Sequence, residues 1–295
     1  MVEPSDSDSS SIRPRLLLLA AALLWSTSGL FVKSPPLERL PLDDRGPVLA
    51  CFRALFAAAV LLPFVRRTHV RWRPMLIPTA LSFAVMNLLF VIAMTRTTAA
   101  AAIFLQYTAT VWAAVAGAVW LRERIDRGSL VALACAVAGI AWIVAAESRA
   151  EHVTGNLIAL GSGAAYAGVV IGLRVLRTEA AAWLVALNHA VAGLVLLPWV
   201  LSRGVSLDAG QWALVALLGV VQMGVPYILF ARAVRSVTAR EAALLVLLEP
   251  VLNPFWVWLV WGETPPASTL AGGALIVGGL ALRYTLLRPR AVRSD

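Results

Sequence analysis

The chain has 295 residues, of which 60% are hydrophobic and 14% charged, with 25 basic and 16 acidic side chains and a formal net charge of +9. So apolar a composition excludes a soluble domain, and a chain this long exceeds a single membrane hairpin, so the lipid bilayer is its first partner. The positive charge does not imply nucleic acid as a partner, because the arginines sit in short loops between apolar runs and there carry topology.

Ten runs are long enough to span hydrocarbon: 16–33, 47–65, 74–95, 98–121, 128–146, 155–173, 181–201, 211–231, 238–261 and 267–287. The fold class expected is therefore all-α integral membrane. Residues 1–15, containing Glu3-Pro4-Ser5-Asp6, are polar and expected to be disordered. A cleaved leader at Leu16 is disfavoured, because its removal would break the internal repeat described below. With the N-terminus inside and basic residues at span ends counted with the adjoining segment, eighteen fall on the cytoplasmic side and six on the outer, and Arg53 is left deeper within a span. Both termini, including a tail at 288–295, are then cytoplasmic.

Along the chain, several polar or aromatic side chains stand inside these runs. Trp25, beside Ser26 and Ser28, is a candidate cavity residue. Cys51 and Cys135 read as small packing residues, with neither a disulfide nor a metal cluster implied, and no cofactor is expected. Arg53 lies about 9 Å from the outer end of its span at 1.5 Å per residue. That is shallow enough to snorkel, which is favoured as a structural role over binding a solute carboxylate. The third and eighth runs carry matching stripes, Phe83, Asn87 and Phe90 against Met223, Tyr227 and Phe230. These suit the wall of a site for an amphipathic solute, the alternative being lipid-facing or core aromatics. Gln106 and Tyr107 in the fourth run and Tyr166 in the sixth add candidate binding groups. Asn188 is followed by His189, for which a proton relay is weighed against a hydrogen-bonded structural role, the latter favoured.

The ninth run is the most informative. It places Glu249, Pro250, Asn253 and Pro254 among apolar residues, and an intramembrane carboxylate is by default a functional hypothesis. Pro250 and Pro254 deprive the carbonyls of Val246 and Pro250 of donors, so polar backbone is expected beside the carboxylate. Glu249, Asn253 and Trp256 share a helical face and would present a carboxylate, an amide and an indole to one solute. Low dielectric penalises the charged form of a carboxylate, which makes Glu249 a candidate for proton coupling, with a structural carboxylate as the alternative. Small residues at four-residue spacing, Ala134, Ala138, Cys135 and Gly139, then Ala274 and Gly278, are expected to bring helices into close contact.

A shift of 140 residues superposes the two halves: Trp72 meets Trp212, Leu89-Phe90 meets Leu229-Phe230, Thr98-Ala99 meets Thr238-Ala239, and Glu123 meets Glu263. Each half, 16–146 and 155–287, holds five spans. An odd number forces the second half to enter from the opposite side, so the repeat is inverted, and such repeats build a site near the midplane.

Glu249-Pro250-Val251, the aromatic run after it and Gly262-Glu263 resemble the second half of an EamA transporter of the drug/metabolite transporter superfamily. The segment ending Trp120-Leu121-Arg122-Glu123 is the first-half counterpart, and Arg53 stands in a segment similar to the second span of that family. The resemblance implies a bacterial inner-membrane exporter of a small solute such as an amino acid, working by alternating access with protons as a candidate coupling ion. It leaves oligomeric state open. Glu123 and Glu263, at span ends where charge reaches water, read as structural anchors. A non-transporting scaffold or receptor is the alternative. An intramembrane enzyme is disfavoured, since no HExxH motif or nucleophile elbow is present.

Overall fold

The computed structural model describes residues 9–120, 127–146 and 149–285. Among these, ten helical stretches are long and apolar enough to cross a membrane: Ile12–Val32, Leu42–Phe64, Leu76–Arg96, Ala99–Ala118, Arg127–Ala145, His152–Val175, Ala181–Ser202, Ala209–Ala233, Glu241–Trp261 and Ala267–Thr285. They are called the first to tenth spans below. Each coincides with an expected run, because hydrocarbon offers backbone groups no partner and a helix satisfies them within the segment.

The first helix starts at Ser9, so residues 9–15, expected to be disordered, are helical. An ion pair of 2.8 Å from Arg15 to Glu241 ties this turn to the start of the ninth span. Residues 1–8, the tail at 288–295 and Glu123 lie outside the described residues.

The two halves interleave. The third span packs along the sixth and, as the inverted repeat requires, the first packs along the eighth. The second rests on the seventh and the fifth on the tenth, while the second against the eighth mirrors the seventh against the third. The main apolar core draws on both halves, from Val32 and Leu105 to Val257 and Leu280. An even number of spans brings the start of the first and the end of the tenth to one face of the bundle, here the terminal face. On the opposite face Lys33 pairs with Glu263 at 2.9 Å, Arg203 with Asp44 at 2.7 Å, and Arg96 with Asp43.

The small residues of the fifth and tenth spans do join, through one of the two expected pairs of the fifth span, Cys135 and Gly139, which face Gly279 and Gly272, while the other pair and the expected residues of the tenth span stay outside the contact. Ala134, Ala138 and Ala274 are exposed and nothing approaches Gly278, whereas Ala132, Ala136, Gly139, Gly272 and Gly279 are buried. Four-residue spacing recurs on several faces of a helix rich in alanine, and only the neighbouring span selects one. A Cβ on Gly139 would stand 2.5 Å from the Gly272 carbonyl oxygen. Gly139→Ala should therefore force the two spans apart and lower stability by about 1–3 kcal/mol, while Gly278→Ala should be nearly neutral. Thermal unfolding of the two purified variants in one detergent checks this.

Candidate functional site

Four spans lose regular α-geometry inside the membrane. The first is broken between Trp25 and Ser28, the fourth between Gln106 and Ala109, and the ninth between Val246 and Leu248. The eighth winds as a π-helix over Leu218–Gly224. The breaks in the fourth and ninth obey the repeat: Thr98 and Thr238 cap the mirrored segments with their side-chain oxygens, accepting from Ala101 and Glu241, and the segments end at Gln106 and Val246.

Their causes differ. In the ninth span Pro250 has no N–H to offer Val246. In the fourth, where Thr110 replaces the proline, threonine hydroxyls answer the freed carbonyls: Thr108 Oγ1 donates to Leu105 O at 2.6 Å and Thr110 Oγ1 to Tyr107 O at 3.2 Å. Gly163 of the sixth span makes room, since a Cβ there would lie 2.7 Å from Thr108 Oγ1 and 3.0 Å from Leu105 O.

These breaks surround a cavity of about 300 Å³ between the halves. Its polar lining is Arg53, Gln106, Tyr107, Tyr166, Asn188, Gln222, Tyr227 and Glu249, and Phe83, Phe90, Met223 and Phe230 supply apolar wall. Trp25 also lines it, edge-on to Tyr227 at 5.1 Å between centroids. Tyr107 Oη lies 2.9 Å from Glu249 Oε2 and 3.2 Å from Val246 O, so the first-half break reaches the carboxylate of the second. Gln106 Nε2 donates to Ser162 Oγ at 3.0 Å. A second cavity of about 420 Å³ shares Tyr107, Tyr166, Phe230 and Val246 and continues past Val234, Ala242 and Tyr284 toward the terminal face.

Arg53 corrects its sequence reading. Only 2% exposed, it does not snorkel. Its Nε donates to Asn87 Oδ1 at 2.8 Å, Asn87 Nδ2 donates to Ala50 O at 2.9 Å, and the guanidinium carbon stands 5.8 Å from the Phe90 ring centre. Depth along one helix was too weak a guide, because an amide on the third span holds the guanidinium inward. Asn87 accordingly stands behind the wall formed by Phe83 and Phe90.

The stripe of Glu249, Asn253 and Trp256 is a second correction, because only Glu249 meets the cavity. Asn253 Nδ2 donates to Ser28 Oγ at 2.6 Å and Trp256 Nε1 to Ser26 Oγ at 2.9 Å. The face is continuous, but one turn beyond Glu249 it runs against the broken first span. There Asn253 and Trp256 meet serines that the break leaves exposed to them. Pro250 and Pro254 are buried in the same helix.

His189 also lies behind the lining, with Nδ1 2.9 Å from Val185 O and its ring against Phe83 and Tyr227. Glu263 accepts from Ala99 N at 2.7 Å besides pairing with Lys33, which ties the end of the ninth span to the start of the fourth. Gln222 escaped the sequence reading. Its Nε2 donates to Trp25 O at 3.0 Å, across the first-span break. The available signal was a lone amide in an apolar run just before Pro226.

Comparison with known proteins adds a family. The profile of the EamA-like transporter family matches residues 13–145 and again 153–285. The chain is 28% identical to an uncharacterized transporter of Archaeoglobus fulgidus, with 90% of this chain and 94% of that protein covered. It is 27% identical to the pseudopaline exporter of Pseudomonas aeruginosa, covering 89% and 92%. With the threonine/homoserine exporter of Escherichia coli it shares 24% identity over 84% and 85%. A crystal structure of a protein with 20% sequence identity matches with a TM-score of 0.64, covering 95% of this chain and 99% of that one, a likeness of fold.

Since Trp256 binds Ser26 away from the cavity, Trp256→Phe should cost about 1 kcal/mol of stability, one hydrogen bond, and leave solute affinity unchanged. Thermal unfolding beside ligand titration separates the two. A matching loss of affinity would return Trp256 to the site.

Proposed function

Because the chain belongs to the EamA-like transporter family, we propose that it exports an amino acid or a related small metabolite by alternating access, with proton exchange at Glu249 driving the cycle. The observation that carries this reading is Glu249 itself, a carboxylate standing in a cavity between two inverted halves and hydrogen-bonded by a tyrosine from the other half.

The excess of arginines on the terminal side supports a cytoplasmic position for that face, and the membrane of this reading is the bacterial plasma membrane. The second cavity then leads inward, while the ion pairs of Lys33 with Glu263 and Arg203 with Asp44 close the outer face. Together these features support reading the geometry as a cytoplasm-facing state. Inverted halves give each arrangement of the bundle a mirrored counterpart of similar packing, in which the outer pairs part and the inner end closes. The relatives named as exporters support the outward direction and amino acid-like cargo.

In the cycle, ionised Glu249 accepts the solute's ammonium from the cytoplasmic side, and the pair crosses together as a neutral unit. On the outer side the ammonium leaves and a proton takes its place on the carboxylate. Protonated Glu249 returns inward and loses the proton to the cytoplasm. One carboxylate cannot hold both cations at once, so each outward passage of solute is matched by an inward passage of a proton.

The sign of the pH effect follows. Acid outside should speed export, and acid inside should slow it. Glu249→Gln should abolish the acceleration by a pH gradient and weaken solutes bearing an ammonium roughly tenfold or more, the cost of a charge-assisted hydrogen bond. Counterflow of labelled amino acids in proteoliposomes, with and without the gradient, measures both. Acceleration that survives the substitution would remove Glu249 from proton coupling.

A further inference from the structure

We propose that Arg53 is the subsite for the solute's carboxylate, so that the cavity selects α-amino acids by holding the carboxylate at Arg53 and the ammonium at Glu249. The proposal rests on the carrier reading above for what Glu249 does, but the evidence for Arg53 is its own.

Arg53 is 2% exposed and lines the cavity, yet its Nη1 is buried without a hydrogen-bond partner. A buried guanidinium is costly unless its charge is met and its donors are used. Its hydrogen-bond partner is a neutral amide, Asn87, which fills Nε, and no ion pair to Arg53 occurs among the described residues. Asn87 is itself fixed by the Ala50 carbonyl, so the fork cannot turn to follow its own charge needs. What remains is a held planar guanidinium with one nitrogen unpaired, beside a cavity that Arg53 lines, and carboxylate is the anion whose geometry matches that fork.

The rest of the lining agrees. Glu249 supplies one negative charge to the same cavity, and a zwitterion would neutralise both groups where either a simple amine or a simple acid would leave one bare. In the same lining, Phe83, Phe90, Met223 and Phe230 offer apolar surface to a side chain. About 300 Å³ is at the small end of ligand pockets, suited to one amino acid rather than a peptide. Asn87, which touches no solute in this arrangement, acts as a positioning residue through Arg53.

The test uses the full chain in proteoliposomes. Counterflow of a labelled amino acid, chosen from leucine, phenylalanine, methionine and threonine, is competed by the acid, its primary amide and the corresponding amine. Ligand-induced thermal stabilisation is measured on the same preparation in detergent. On the natural chain the amide and amine should be at least about tenfold weaker than the acid. Arg53→Met should bring acid and amide to equality, and Asn87→Leu should raise the acid's half-saturation concentration while leaving the amide's nearly unchanged. The double variant Arg53→Met/Asn87→Leu guards against misfolding from an unpaired Asn87, and the acid-against-amide comparison on the natural chain needs no variant. Equal competition by acid and amide on the natural chain, or discrimination that survives Arg53→Met, overturns the subsite. If amines and amides move as readily as acids, the carrier stands and the subsite falls. If nothing moves but the acid stabilises the protein where its amide does not, and Arg53→Met removes that difference, the subsite stands and export falls. Neither flux nor stabilisation with any of these amino acids overturns both.

Discussion

Pro250 cannot donate a hydrogen bond, and inside a bilayer the carbonyl it leaves without a donor must find another partner. The hydroxyl of Tyr107 lies 3.2 Å from that carbonyl and 2.9 Å from Glu249 Oε2, and its single hydrogen is shared between them. Because Tyr107 comes from a break at the mirrored position of the other half, one missing N–H places two broken helices against each other with a carboxylate between them. Trp25, whose carbonyl is answered by Gln222, repeats the solution at the first span. Two of the polar groups that line the cavity, Tyr107 and Gln222, are thus means by which interrupted helices satisfy their own backbones.

The interleaving of the halves follows from the same economy. No half buries its apolar faces alone, since the third span needs the sixth and the first needs the eighth. Side chains that would be remote in separate domains therefore converge: Arg53 and Asn87 from the first half, Asn188, Tyr227 and Glu249 from the second. Contacts that repeat by symmetry favour two states of comparable energy, whereas contacts that do not repeat bias one of them. Glu249 without a counterpart acid and Pro250 without a counterpart proline set the ninth span apart from the fourth, as the break of the first span and the π-helix of the eighth set those apart from the unbroken sixth and third.

What the sequence by itself determined is the part governed by local rules. Span number and helical class follow from apolar length, because hydrocarbon permits one kind of unpaired chain. The inverted repeat was legible in matched residues such as Thr98 and Thr238, which turn out to be matched caps. Glu249 was legible as a cavity residue because a carboxylate in an apolar run must face a partner or a polar cavity, and Tyr107, Gln106, Trp25, Tyr166 and Tyr227 because lone polar or aromatic groups there need company.

Tertiary structure alone decided which face of each helix looks where. Arg53 at its depth in the second span is compatible with snorkelling until Asn87 arrives from the third. Asn253 and Trp256 share a face with Glu249, yet they meet Ser28 and Ser26, and the alanine stripes of the fifth span are equivalent until the tenth selects Gly139. Helical periodicity reports the angle between side chains on one helix. It carries no information about the rotation of that helix relative to its neighbours, which is set by packing and by polar groups seeking partners from other spans.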